Sequence, residues 1–184
     1  MKWLPWTMAA MWLAARYIVR QFVGMSVENA HTFGVLSNVL LIVILVFVAI
    51  YYVYKQEPGL STTFFADFKV CMKQAMKYVI GSVVAMGLYY AVLCPQDLAY
   101  IRDTRITGFN EMISTDDGLN AFKGEHPELK DATREILSQK NNENVEKFVT
   151  VKMQLSLGLL ALTSVSLCYS LLATFFYRMF AKRI

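Results

Sequence analysis

Arg16 and Arg20 stand four residues apart, on one face of a helix, inside an apolar run that begins at Trp3. A guanidinium held at the centre of a membrane-crossing helix costs roughly 2.5–3.5 kcal/mol, and less near the helix end, where a long side chain can reach the headgroups. Three uses fit such a pair: contact with an anion or lipid phosphate, pairing with a carboxylate elsewhere in the chain, or snorkelling to the headgroup layer. Lys69, Lys73 and Lys77 form a second basic set, repeating every four residues beside Phe64 and Phe68. Each cation near an anionic leaflet contributes about 1 kcal/mol, so anchoring to anionic lipid is the expected role, with a specific lipid or nucleotide site as the alternative.

The other reactive side chains are scattered. His31 and His126 lie in separate polar stretches, and no spacing groups a nucleophile with a base or assembles a metal set. There is no phosphate-cradling glycine loop and no paired-carboxylate motif. Cys71, Cys94 and Cys168 lie in or beside apolar segments at an odd count, which suits small apolar residues in helices better than a disulfide framework. The residues therefore point away from an enzyme, and they call for no cofactor.

What must position these side chains is a set of membrane helices. Residues 35–54 run without a charge, and about 20 apolar residues at helical rise cross a ~30 Å hydrocarbon core. Such a segment, apolar on every face, lacks the polar stripe of a soluble amphipathic helix. The expected fold class is all-α, a single polytopic membrane domain with four transmembrane helices at about 3–23, 35–54, 76–93 and 149–176. A polar loop at 95–148, partly helical, separates spans three and four. Within it, Asp116-Asp117-Gly118 reads as a turn, His126-Pro127 as the opening of a helix to about Gln139, and Asn141, Asn142 and Asn144 as a loosened stretch. The loop helices are expected to lie on the membrane surface. Pro58-Gly59 ends span two, Ser61 or Thr62 caps the next helix, and residues 61–77 form a basic amphipathic lead-in along the membrane surface, continuous with span three.

Small residues mark the helix contacts. Gly81 and Ala85, Gly87 and Ala91 in span three, and Ser166, Ser170 and Thr174 in span four, recur at four-residue spacing that lets backbones approach. Asn38 is either an interhelical hydrogen bonder or a polar residue near the membrane end. Trp3 and Trp6 suit the headgroup layer.

Charge is segregated along the chain. Residues 95–148 hold eleven Asp/Glu against seven Lys/Arg, and the remainder holds three against eleven. Distinct flanks of this kind suit a membrane protein and argue against a nucleic-acid partner. Lysines of the second connection and cations of the tail favour both termini in the cytoplasm, although the long loop carries seven cations of its own. The first apolar run is followed directly by Arg16 with no small-residue cleavage site, so it is read as a retained span rather than a signal peptide.

One stretch carries a family likeness. Tyr51-Tyr52-Val53-Tyr54-Lys55, a glycine turn, then Phe64-Phe65-Ala66-Asp67-Phe68-Lys69 and Pro95 after span three resemble a group of small four-span bacterial membrane proteins known only as a domain of unknown function. Asp67 stands where a small residue is more usual there, and Cys71 where glycine is common. The likeness is carried by residues 35–97 and implies a bacterial inner-membrane location with no established activity. The expected function is a non-enzymatic scaffold or accessory subunit in contact with membrane lipids and a membrane-protein partner. The alternative is a small transporter or channel acting as a homo-oligomer.

Overall fold

The computed structural model describes residues 1–56 and 63–181, and the regular structure among them is entirely helical. Seven helices follow one another: α1 Leu4–Gln21, α2 Val27–Gln56, α3 Phe64–Leu88, α4 Pro95–Ser114, α5 Asp116–Glu125, α6 Arg134–Phe148 and α7 Val151–Ala181. A π-helical turn, Tyr89–Leu93, joins α3 to α4, and a short 3-10 turn at Pro127–Leu129 precedes α6.

Hydroxyl caps open most of these helices, because the first turn of a helix leaves amide donors without partners. Ser26 Oγ accepts from the Asn29 amide ahead of α2, Thr63 from Ala66, Thr115 from Gly118, Thr133 from Ile136 and Thr150 from Met153. The Thr133 hydroxyl also holds the Glu135 carboxyl below its ordinary value. Pro95 starts α4 at the one position of a helix where a missing amide costs nothing. Between α1 and α2 the chain turns through Gly24 at φ +70°, a left-handed conformation that favours glycine.

Three helical stretches, Val27–Tyr52, Phe64–Leu93 and Val151–Met179, are long and apolar enough to cross a membrane. Their outer faces carry Leu40, Phe47, Ile80, Val84, Leu160, Leu172 and Phe175, large apolar side chains left exposed. In water this would be an unstable surface; in lipid it is the expected one. Inside, Ile42, Leu45 and Val46 of α2 pack with Cys71, Ala75, Tyr78 and Val79 of α3 and with Ala173 of α7 in a fully covered core. α3 is the central member, touching α1, α2 and α7.

Three of the four expected spans are shown, and several other expectations need correction. The first apolar segment forms the 18-residue α1, which is not among the stretches long and apolar enough to cross a membrane, so a fourth span is not shown. It also starts beside the middle of α3: Trp6 and Ala9 lie against Gly81, roughly 25 Å along α3 at 1.5 Å per residue. Trp6, 40% exposed, thus also packs its ring on α3. α2 begins eight residues before the expected span, so Glu28 and His31 sit on its first turns and not in a connection. Residues 64–77 are continuous with the third span, as expected. They form the first half of α3 and are packed into the bundle, because Asp67, Cys71, Ala75 and Tyr78 recur at helical spacing and bury against α2 and α7. Thr63 caps that helix; Pro58-Gly59 and the expected caps Ser61 and Thr62 lie outside the described residues.

The polar segment 95–148 is helical over most of its length. Asp116-Asp117-Gly118 is the first turn of α5 rather than a reversal, since Thr115 caps the helix and two carboxylates favour its positive end. His126-Pro127 opens only the 3-10 turn, and α6 continues through Asn141, Asn142 and Asn144 to Phe148. α4 packs on both α5 and α6, with Phe109 and Phe122 in edge-to-face contact at 5.3 Å.

A Cβ added at Gly81 would fall 3.0 Å from the Ala9 Cβ and 3.2 Å from the Trp6 ring. Gly81→Leu should therefore push α1 away from α3 and destabilise the bundle by about 1–3 kcal/mol, as overpacked cores do. Thermal unfolding in detergent, compared with an outward-facing Ile80→Leu control, checks this.

Candidate functional site

One group of polar and aromatic residues gathers at the end of the bundle where α1 finishes, α2 begins and α3 passes into α4. An ordinary α-helix turns 100° per residue, so adjacent side chains diverge. The π-helical turn, closed by Cys94 N–H donating to the Tyr89 carbonyl at 2.7 Å, is wider. Tyr89 and Tyr90 consequently both face inward, 0% and 2% exposed, with their rings at 5.2 Å and 86°.

Between them lies Arg16, 3% exposed, its guanidinium carbon 4.0 Å from the Tyr89 ring centre, 4.8 Å from Tyr90 and 5.5 Å from Trp12. One guanidinium nitrogen donates to the Tyr90 hydroxyl at 2.7 Å, and that oxygen lies 3.0 Å from His31 Nδ1. Arg16 can only donate, so the Tyr90 oxygen accepts from it; toward His31 the phenol either donates its proton to Nδ1 or accepts from an Nδ1–H, according to the imidazole tautomer. Trp12 donates from its indole to the Gly34 carbonyl at 2.9 Å, fixing α1 to α2. Gly34 is needed there: a Cβ would lie 3.1 Å from Arg16 Cδ and Nε.

One turn on, Arg20 Nε meets Asp97 Oδ1 at 2.9 Å, and the other carboxylate oxygen accepts from the Tyr89 hydroxyl at 2.7 Å. Asp97 is 2% exposed and lies in the first turn of α4. The two arginines thus divide the roles foreseen for them. Arg20 pairs with a carboxylate of the polar segment, whereas Arg16 makes no ion pair among the described residues. Neither reaches outward in the manner of a snorkelling side chain.

At the opposite end, Arg178 Nε of α7 meets Asp67 Oδ2 of α3 at 2.8 Å. Asp67, the residue that departs from the family pattern, is the buried member of this pair, at 2% exposure. Asn38 lies well within the bundle and accepts from the Tyr78 hydroxyl at 2.6 Å, a bond between α2 and α3 worth under about 2 kcal/mol. Ser166, Ser170 and Thr174 face inward and are fully covered.

The lysines are elsewhere. Lys69 and Lys73 are exposed on the flank of α3 opposite Asp67 and Ala75, below the point where α1 begins. With Phe65, Phe68, Met72 and Met76 they line a shallow groove of about 530 Å³. Lys77 is half-buried and does not line it. Because α3 is one continuous helix, Lys69 and Lys77 differ by about 12 Å along its axis and cannot share one headgroup depth if it stands upright. The structure therefore does not bring Arg16 and Arg20 together with the lysines.

Among the described residues no three His, Cys, Asp or Glu side chains are placed to hold a metal ion, and all three cysteines are free. His126 stacks on Phe122 at 4.6 Å and approaches the exposed Glu128 at 3.4 Å. The residues that sequence reading did not single out are Tyr89, Tyr90, Trp12 and Asp97. The clue was local: Tyr-Tyr followed four residues on by Cys-Pro-x-Asp places two phenols and a carboxylate at the end of an apolar run.

No family model matches the chain, and no curated protein or solved structure is similar to it.

Two predictions follow from the charges. Asp97→Asn leaves Arg20 and Tyr89 without their acceptor and should cost about 2–3 kcal/mol, less than a wholly buried pair because Arg20 is 24% exposed. Asp103→Asn, at the exposed Arg102 pair, should cost under about 1 kcal/mol, and Arg20→Met with Asp97→Leu should recover most of the loss. Chemical denaturation in mild detergent distinguishes the three. For the lysines, Lys69→Gln with Lys73→Gln should lower the preference for anionic over zwitterionic lipid, and Lys77→Gln should change it little. Added salt should mimic part of the double substitution, since exposed charges are screened beyond about 8–10 Å.

Proposed function

We propose that the chain is a non-enzymatic accessory or scaffold subunit of a bacterial inner membrane, with α1 as a short fourth span. In this reading the bundle is the anchor and α4–α6 form a platform that meets a membrane-protein partner on the far side from the termini. The observation that carries it is the covered core between the two ends. Ile42, Leu45, Val46 and Ala49 of α2 and Cys71, Ala75, Tyr78 and Val79 of α3 are buried, and an ion pair with a buried carboxylate stands near each end. Among the described residues this layer offers no aqueous route through a single copy. By contrast α4–α6 are largely exposed and rich in carboxylates.

Asp97 supports the platform reading further. Bonded to both Arg20 and Tyr89, it ties the first turn of α4 to the bundle, so the platform is held rather than tethered. The family likeness over residues 35–97 supports the inner membrane. The lysines near the start of α3 and the cationic tail support cytoplasmic termini. A small oligomeric transporter or channel would need its path between copies, and the hydroxyl row of α7 that could line one is buried within the chain.

Purification in mild detergent should recover a distinct membrane protein, and replacing α5 and α6 with a short flexible linker should abolish that recovery without changing membrane insertion. Recovery of the chain alone, as a homo-oligomer that conducts ions or solutes in liposomes, would establish the transporter reading instead. A cytoplasm-active reporter fused after Ile184 should be active, and one inserted in α5 silent.

A further inference from the structure

Arg16 is a permanent charge buried with no counter-ion among the described residues. A guanidinium does not deprotonate in proteins, and taking such a charge out of water costs several kcal/mol even after relaxation. Three aromatic rings offset part of that, at about 0.5–2 kcal/mol each. They supply no carboxylate, and Arg16 Nε is buried with no hydrogen-bond partner.

Beside this group is a cavity of about 200 Å³, walled by α1, α2, α3 and α7. Its polar wall is Arg16, His31, Asn38, Tyr90 and Gln154, and most of the rest is apolar, including Met86, Leu157 and Leu162. The polar wall is dominated by donors. The guanidinium donates only, Asn38 accepts from Tyr78 through its carbonyl oxygen and keeps its NH₂ as donor, and His31 offers an N–H from Nε2 in the tautomer whose Nδ1 accepts from Tyr90. A cavity of this composition is matched by a ligand group that only accepts, an oxyanion, joined to an apolar body. Val35 and Leu157, both about half exposed, stand at its edge, so it opens sideways between α2 and α7 toward lipid. It also adjoins, through His31 and Gln154, a polar vestibule containing Glu28, Thr32, Thr104 and Arg105, in which one carboxylate accompanies one guanidinium.

We propose that this cavity binds an amphiphile with an oxyanion head, seated against Arg16 and His31, whose acyl tail leaves between α2 and α7. The oxyanion is a fatty-acid carboxylate or a phospholipid phosphate. At about 200 Å³ the cavity takes the head and the beginning of the tail, not a whole lipid.

Trp12 lines the cavity and reports on it. With Trp3→Phe and Trp6→Phe it is the sole tryptophan, and bromine on an acyl chain quenches its fluorescence by contact. In detergent, 2,3-dibromostearate and phosphatidic acid brominated at acyl carbons 2 and 3 are titrated against the uncharged 2,3-dibromostearyl alcohol. At least one acid should quench Trp12 at a tenfold or more lower concentration than the alcohol; which acid does so identifies the source of the oxyanion. Arg16→Met should abolish that preference. Ala161→Phe, an exposed position of α7 on the cavity wall, should raise the concentration needed at least fivefold while leaving Arg16 and its contacts in place. This second variant decides the matter if Arg16→Met fails to fold. Equal quenching by acids and alcohol, or a preference unchanged in the two variants, would overturn the site.

Discussion

Charge cannot be left unmatched in a low-dielectric interior, and this bundle is arranged around that constraint. Asp97 is buried at the mouth of the bundle with Arg20 on one oxygen and the Tyr89 hydroxyl on the other. Those two bonds bring α1, the end of α3 and the start of α4 to a common point. The geometry around them follows: Tyr89 must turn inward, the helix must widen to let Tyr90 do the same, and Arg16 is then enclosed by the rings. Asp67 and Arg178 impose the same discipline where α3 begins and α7 ends. Buried pairs of this sort add little net stability over an apolar replacement, yet removing one partner is costly. They are best understood as register pins.

Between the pins the packing is of a kind that lipid allows. With hydrocarbon outside as well as inside, apolar burial gives no drive for helices to associate, so close approach must supply it. α3 carries Cys71, Ala75, Gly81 and Ser82 toward its neighbours, and α7 brings Ser166, Ser170, Ala173 and Thr174. The large side chains are mostly left on the outside. This inversion of the soluble pattern explains why α3 can touch three other helices at once.

The long apolar helices were legible because twenty uncharged residues have few other destinations, and the small-residue spacings pointed to the packed faces of α3 and α7. The termini of the helices were less so. Residues 64–77 read as a surface segment because their lysines dominate the pattern. The buried face, Asp67, Cys71 and Ala75, contains a carboxylate that only Arg178, more than a hundred residues away, makes tolerable. α6 was cut short in the reading because three asparagines have weak helix propensity, a local bias that helix packing on α4 overrides. The candidate cations were found individually, but their division was not: nothing local to Arg16 and Arg20 says which one will meet Asp97. The inward turn of Tyr90 depends on a helix geometry that no residue pattern announces.

That π-helical turn has a further consequence for how the chain can change length. A π turn is an α-helix holding one residue more than its hydrogen bonds require. The wide turn absorbs that residue locally, so the helix before it and the chain after it keep their places. Deleting one residue from Ala91 to Leu93 would take up this slack and return Tyr89 and Tyr90 to ordinary α-helical spacing, at which adjacent side chains diverge. The two rings could no longer both face Arg16. A one-residue deletion here is therefore a dismantling of the aromatic enclosure rather than a shortening of the helix.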